Sequence, residues 1–97
     1  MKALFVSYNM TLTERINRVF DRFGVRGYTL FPLTYGRGSV DGEPHMGSHT
    51  WPAMNSTMLA VVDDEKAAVV MDELRRLERE TQMQGMRAFA WEVTDTI

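Results

Sequence analysis

Hydrophobic positions along this 97-residue chain follow two periods in alternation. Residues 2–8 (KALFVSY) are apolar in both alternating sets, Ala3/Phe5 with Ser7 and Leu4/Val6/Tyr8, the pattern of a central strand covered on both faces. Leu12, Ile16, Val19, Phe20 and Phe23 then recur at helical spacing, with Arg15, Arg18, Asp21 and Arg22 on other faces, which predicts an amphipathic helix over 12–23. Thr11-Leu12-Thr13-Glu14 has the form of a capping box that starts it, and Gly24 is placed to end it in a left-handed turn. Alternation returns over 27–35 (GYTLFPLTY), where Pro32 lacks a ladder donor and so predicts an edge strand or a bulge. Residues 56–62 (STMLAVV) are again apolar on both faces and predict a second central strand. Asp63 and Asp64 supply cap chemistry for a helix reaching about residue 80, whose buried stripe is Ala67, Val70, Met71, Leu74 and Leu77 and whose other face is a solvated charge run. After the break at Gly85, residues 86–93 alternate Arg87/Phe89/Trp91/Val93 against Ala88/Ala90/Glu92 as a last strand. Residues 94–97 are expected to be a loose tail.

The order β-α-β-β-α-β predicts an α+β, ferredoxin-like fold, an antiparallel sheet with two helices on one face, as a single domain over 1–97. This order has a consequence. Helices on one side cover one sheet face, yet both central strands are apolar on both. The second face needs a partner, and a second copy of the chain is the simplest one.

Composition narrows the classes. Hydrophobic residues make up 44% and charged residues 25%, ordinary values for a soluble globular chain. A net charge of −2 gives no electrostatic footprint for nucleic acid. No apolar run approaches the roughly 20 residues of a membrane span, so direct membrane insertion is not expected, and a cytoplasmic location is. The chain has no cysteine, which excludes disulfides, thiolate metal ligands and cysteine nucleophiles. No Ser-His-Asp spacing, paired carboxylates on apolar strands or Walker-type phosphate loop is present, so catalysis is not expected.

The segment between the two β-α-β halves, about residues 36–55, has no helix or strand period and holds both histidines. A loop this long in a small domain points to function or disorder. At its entrance Gly36-Arg37-Gly38 flanks a guanidinium with two glycines, so main-chain N–H groups and a forked cation could meet one anion; the plain reading is a strand exit. His45 and His49, with Asp41, Glu43 and Met54 nearby, could hold Cu or Zn, although two histidines in a polar loop are more often solvated. Trp51, followed by Pro52, is either a partner-binding anchor or the loop's own small core.

In layout nearly the whole chain resembles the P-II nitrogen-regulatory family and, more loosely, the CutA cation-tolerance family, both ferredoxin-like trimers. The resemblance rests on the start MKALFVSY, the helix in TLTERINRVFDRFGVRGYTL with its Gly24-Val25-Arg26-Gly27 turn, and Thr34-Tyr35-Gly36-Arg37-Gly38 at the entrance to a signalling loop, the T-loop of that family. It implies a homotrimer that binds an adenine nucleotide or another small anion at clefts between subunits. Gly36, Arg37 and Gly38 would form one wall and Gly85 and Arg87 the other. The long loop would then regulate a protein target, with a membrane transporter as one such target. The CutA side of the resemblance implies instead a metal-tolerance protein that binds Cu or Zn through His45 and His49. The chain departs from the P-II pattern in having no tyrosine between Gly36 and Asn55 to carry uridylylation. Gln82-Met83-Gln84-Gly85-Met86-Arg87 also keeps one glycine, with Arg87 where the family has lysine. P-II-like relatives that sense other ligands match better than P-II proper.

Overall fold

A computed structural model of the chain describes residues 1–37, 44–45, 54–81 and 85–97. Its elements are β1 (Lys2–Asn9), a 3-10 turn (Met10–Leu12), α1 (Thr13–Arg22), β2 (Tyr28–Thr34), β3 (Gly36–Arg37), β4 (Pro44–His45), β5 (Asn55–Val62), α2 (Asp64–Glu80) and β6 (Met86–Glu92). Four strands form one antiparallel sheet in the order β2-β5-β1-β6. The two strands apolar on both sides, β1 and β5, are central, and the strand carrying Pro32 is an edge, as the periodicity predicts.

The core lies between the helices and one sheet face. Leu4, Val6 and Tyr8 of β1 and Met58, Ala60 and Val62 of β5 pack with Ile16, Val19 and Phe20 of α1 and Ala67, Val70, Leu74 and Leu77 of α2. Met71, at the margin of the predicted stripe, is partly buried against this cluster. The register Leu4↔Ala60 and Val6↔Met58 sets the even-numbered residues of both central strands toward the helices.

The start of α1 differs from the expected capping box. Asn9, not Thr11, caps the turn: its Oδ1 accepts from the Thr11 N–H at 3.0 Å and from the Thr11 hydroxyl at 2.7 Å. A 3-10 turn intervenes and α1 begins at Thr13, so Glu14 falls in its first turn, and the N-cap residue, Leu12, makes no side-chain cap hydrogen bond. Asparagine competes better than threonine for this position because its amide oxygen reaches the N–H two residues on. The helix end is as expected. Gly24 has φ +73°, and the bonds Val25 N–H to Phe20 C=O (2.8 Å) and Gly24 N–H to Asp21 C=O (3.1 Å) form a Schellman motif, with Val25 buried beside it. Helix α2 is capped by Asp63, whose Oδ1 accepts from the Lys66 N–H at 2.7 Å.

Candidate functional site

The end of the sheet from which the long segment leaves is built from small polar residues. Thr34, Asn55 and Asn9 stand opposite one another across β2, β5 and β1, and the Asn9 N–H donates to the Gly85 carbonyl at 3.1 Å, which extends the row to the start of β6. Beside it β2 is irregular between Phe31 and Thr34. Pro32 has no N–H to pair, and its carbonyl instead accepts from the Ser56 hydroxyl at 2.7 Å, while the Thr34 and Thr57 hydroxyls meet at 3.0 Å. Two side-chain hydrogen bonds therefore hold the departing strand where the ladder lapses.

The residues expected to bind ligand fall at this end. Gly36 and Arg37 form a two-residue ladder with His45 and Pro44, so part of the segment read as structureless is a short hairpin base. Its pairing is not legible as a period because two residues carry none. Gly36 does not have positive φ, and a Cβ there would come no closer than 3.8 Å to Asn55 Nδ2, so its local backbone accepts other residues. Gly85 does have positive φ, +73°, and turns the chain into β6. Arg87 is exposed, stands opposite Ser7, and donates through Nη1 to the Met86 carbonyl at 2.9 Å. Gly38, His49 and Trp51 lie outside the described residues. Gly36/Arg37, in the β3-β4 ladder that follows β2, and Gly85/Arg87, at the start of β6, thus share one end of the sheet, and the edge strands they adjoin are separated by β5 and β1, roughly 14 Å at ordinary strand spacing.

Just inside this row is a polar feature that the pattern did not single out. Tyr8 is fully buried and its hydroxyl has no hydrogen-bond partner among the described residues. Burial raises its pKa; the Thr13 and Ser56 hydroxyls lie near enough to oppose that shift. Both, however, donate elsewhere, Thr13 to the Met10 carbonyl and Ser56 to the Pro32 carbonyl, each at 2.7 Å. A tyrosine on an apolar set of a central strand reads as core, and nothing in the sequence marks its hydroxyl as orphaned.

The face away from the helices is an apolar surface. The Phe5 ring packs against both Phe89 (6.4 Å between centroids) and Trp91 (6.3 Å) of β6, and the register places Leu59 and Val61 alongside. Phe89 and Trp91 remain 54% and 47% exposed, and Val61 47%. Phe31, opposite Thr57, continues the surface onto β2 and is also exposed. Among the described residues no group of three or more His, Asp or Glu side chains is placed to hold a metal, and no helix is long and apolar enough to cross a membrane.

The fold is similar to that of solved PII-like signalling proteins. The chain aligns over 95% of its length with 84% of CPII, a nitrogen regulatory PII-like protein from Thiomonas intermedia, at a TM-score of 0.77 and 18% identity, in a structure with ADP, AMP and bicarbonate bound. Another CPII structure, with ADP and bicarbonate, aligns at 0.77 and 21% over the same shares of the two chains. A PII-like signalling protein from Thermus thermophilus aligns at 0.67 and 23%, over 95% of this chain and 85% of its own. No protein-family model and no curated protein sequence matches the chain.

Proposed function

We propose that this chain is a divergent PII-like regulatory protein that acts as a homotrimer and is not an enzyme. It binds a small anionic ligand or an adenine nucleotide at clefts between subunits and regulates a partner protein, such as a membrane transporter, in the cytoplasm through the segment 36–55. One observation carries this reading: Gly36/Arg37 and Gly85/Arg87 lie at the same end of the sheet, next to its two opposite edge strands, β2 and β6. Within one chain two strands separate them. Where the β2 edge of one copy meets the β6 edge of the next, the two segments become neighbours around a shared cleft. The apolar face bearing Phe5, Phe89 and Trp91 supports the assembly, because a patch of this kind is costly to leave in water.

CPII was solved with ADP and bicarbonate, which makes these the first ligands to try. In such a cleft an arginine fork binds phosphate or carboxylate oxygens, and Gly85, having no side chain, lets a ligand approach the backbone closely. Ligand contacts to Gly36–Arg37 would bias the segment that follows and so present or hide it from its target.

Calorimetric titration of the full chain with ADP, alone and with bicarbonate, is the direct test. Saturable binding with one site per chain is expected, weakened about tenfold or more by Arg37→Ala or Arg87→Ala, the loss of one charge-assisted contact. Absence of binding by either ligand, together with a monomeric mass in solution, would overturn the proposal.

A further inference from the structure

The outer surface of the two helices carries a feature that the intersubunit reading leaves unused. Arg15, Arg18 and Arg22 recur along α1 at spacings of three and four, so they share one stripe, and α2 turns Arg76 toward them. The four surround a cleft of about 290 Å³ whose floor is Val19 and Leu77. Four guanidinium groups and one carboxylate, Glu73, line it, in a chain whose net charge is −2.

Glu73 organises the cleft rather than cancelling it. Its side chain is only 16% exposed, Arg76 Nε reaches its two oxygens at 3.1 and 3.2 Å, and Arg22 Nη1 lies 3.5 Å from it, so one carboxylate fixes two forks side by side. The Arg76 contact also holds the Glu73 carboxyl below the ordinary carboxylate range, so it stays ionised. The other acids facing these arginines are at the rim. Glu80 takes Arg15 at 2.5 Å and Arg76 at 3.0 Å, and Glu14 stands 3.8 Å from Arg18. Among the described residues four cations therefore share three carboxylates, and each guanidinium has five donors, more than these contacts use. Arg18 and Arg22 are the most exposed, at 74% and 65%, and the most loosely held.

We infer that this interhelical cleft binds a small polyanion through phosphate or carboxylate oxygens, with Arg18 and Arg22 as the principal contacts and Arg15 and Arg76 completing the set. The cleft lies on the opposite side of the sheet from the face proposed to close the trimer, so it stays open in that assembly and is a second ligand site. Its volume, near the low end for small-molecule pockets, suits a compact ligand rather than a dinucleotide. Arginine suits it better than lysine would, because planar forks on neighbouring helical turns can each take two oxygens.

The test is arginine Nε NMR on the intact chain titrated at constant ionic strength with pyrophosphate and, separately, with citrate. Saturable shifts of the Arg15, Arg18, Arg22 and Arg76 resonances are expected with at least one probe, and the tighter of the two identifies the oxygen class. The double variant Arg18→Gln/Arg22→Gln should weaken binding about tenfold or more. Arg87→Gln should leave it unchanged, which separates this cleft from the intersubunit site. A circular dichroism melt confirms that each variant is folded. Shifts no larger at the cleft than at Arg79, failure to saturate with both probes, or loss of binding in Arg87→Gln would overturn the inference.

Discussion

The two faces of the sheet are nearly equal in hydrophobicity and opposite in fate. On one, Leu4, Val6, Tyr8, Met58 and Ala60 are sealed by α1 and α2. On the other, Phe5, Leu59, Val61, Phe89 and Trp91 have no covering element among the described residues. The first face holds the monomer together; the second is available to hold copies together. An alternating pattern reports that a strand wants cover on a given side and is silent on whether the cover belongs to the same chain.

The sharpest way to break this symmetry is to damage one face at a time. Phe20→Ala on α1, which removes a fully buried ring that packs edge-on to Tyr28 at 5.8 Å, should cost about 3–5 kcal/mol and unfold much of the population. Trp91→Arg on the open face should do the reverse. It should leave the stability of the isolated chain within about 0.5 kcal/mol of the parent, as surface changes do, while shifting the mass of the proposed trimer toward monomer. Chemical denaturation for the first variant and light scattering for the second decide the matter. If Trp91→Arg destabilises the chain as much as Phe20→Ala without changing its mass, the open face is not an interface.

This division also marks how far the sequence could be read. Element order, the central places of β1 and β5, the edge place of β2 and the Gly24 stop all follow from periods and from residues with fixed backbone demands. Asn9 was harder to see because Thr11 and Glu14 fit a known box, and the choice between two polar caps turns on which oxygen reaches the N–H, a matter of geometry that a pattern does not carry. The β3-β4 pairing is too short to show a period. The arginine cleft is split between two helices, each of which shows a charged outer face, and only their packing brings Arg76 beside Arg22. Gly36, Arg37, Gly85 and Arg87 are the described residues that the resemblance assigns to a ligand site, and that they adjoin opposite edge strands needed the strand order.

A smaller effect is expected at the junction of the two faces, where β2 leaves the sheet. Ser56→Ala removes the donor to the Pro32 carbonyl and should cost about 1 kcal/mol, a Tm fall of roughly 4–8 °C for a chain this size. Because Pro32 has no N–H with which to anchor the strand, hydrogen exchange at Leu33 and Thr34 should rise more than exchange on β1. Uniform loss of protection across the sheet would show instead that Ser56 acts only through the core.

The smallest expected effect lies on the helix surface of the covered side. Arg76 holds the Glu73 carboxyl below its ordinary pKa, which is about 4.3 in an unfolded chain. A depressed carboxyl favours the fold wherever it is ionised. Its contribution is therefore fully present above the unfolded value and is lost as pH falls through the lower, folded one. Glu73→Gln removes that contribution at neutral pH but has nothing to remove once the native carboxyl is protonated. The gap in Tm between parent and variant should thus be constant from pH 7 to about pH 5 and should close progressively in more acid solution. Solvent and salt screen these partners, so the gap should also shrink at high ionic strength. A gap that persists unchanged down to about pH 2 would mean that Glu73 stabilises the helix pair by packing rather than by charge, and its place as the organiser of the arginine cleft would fall with it.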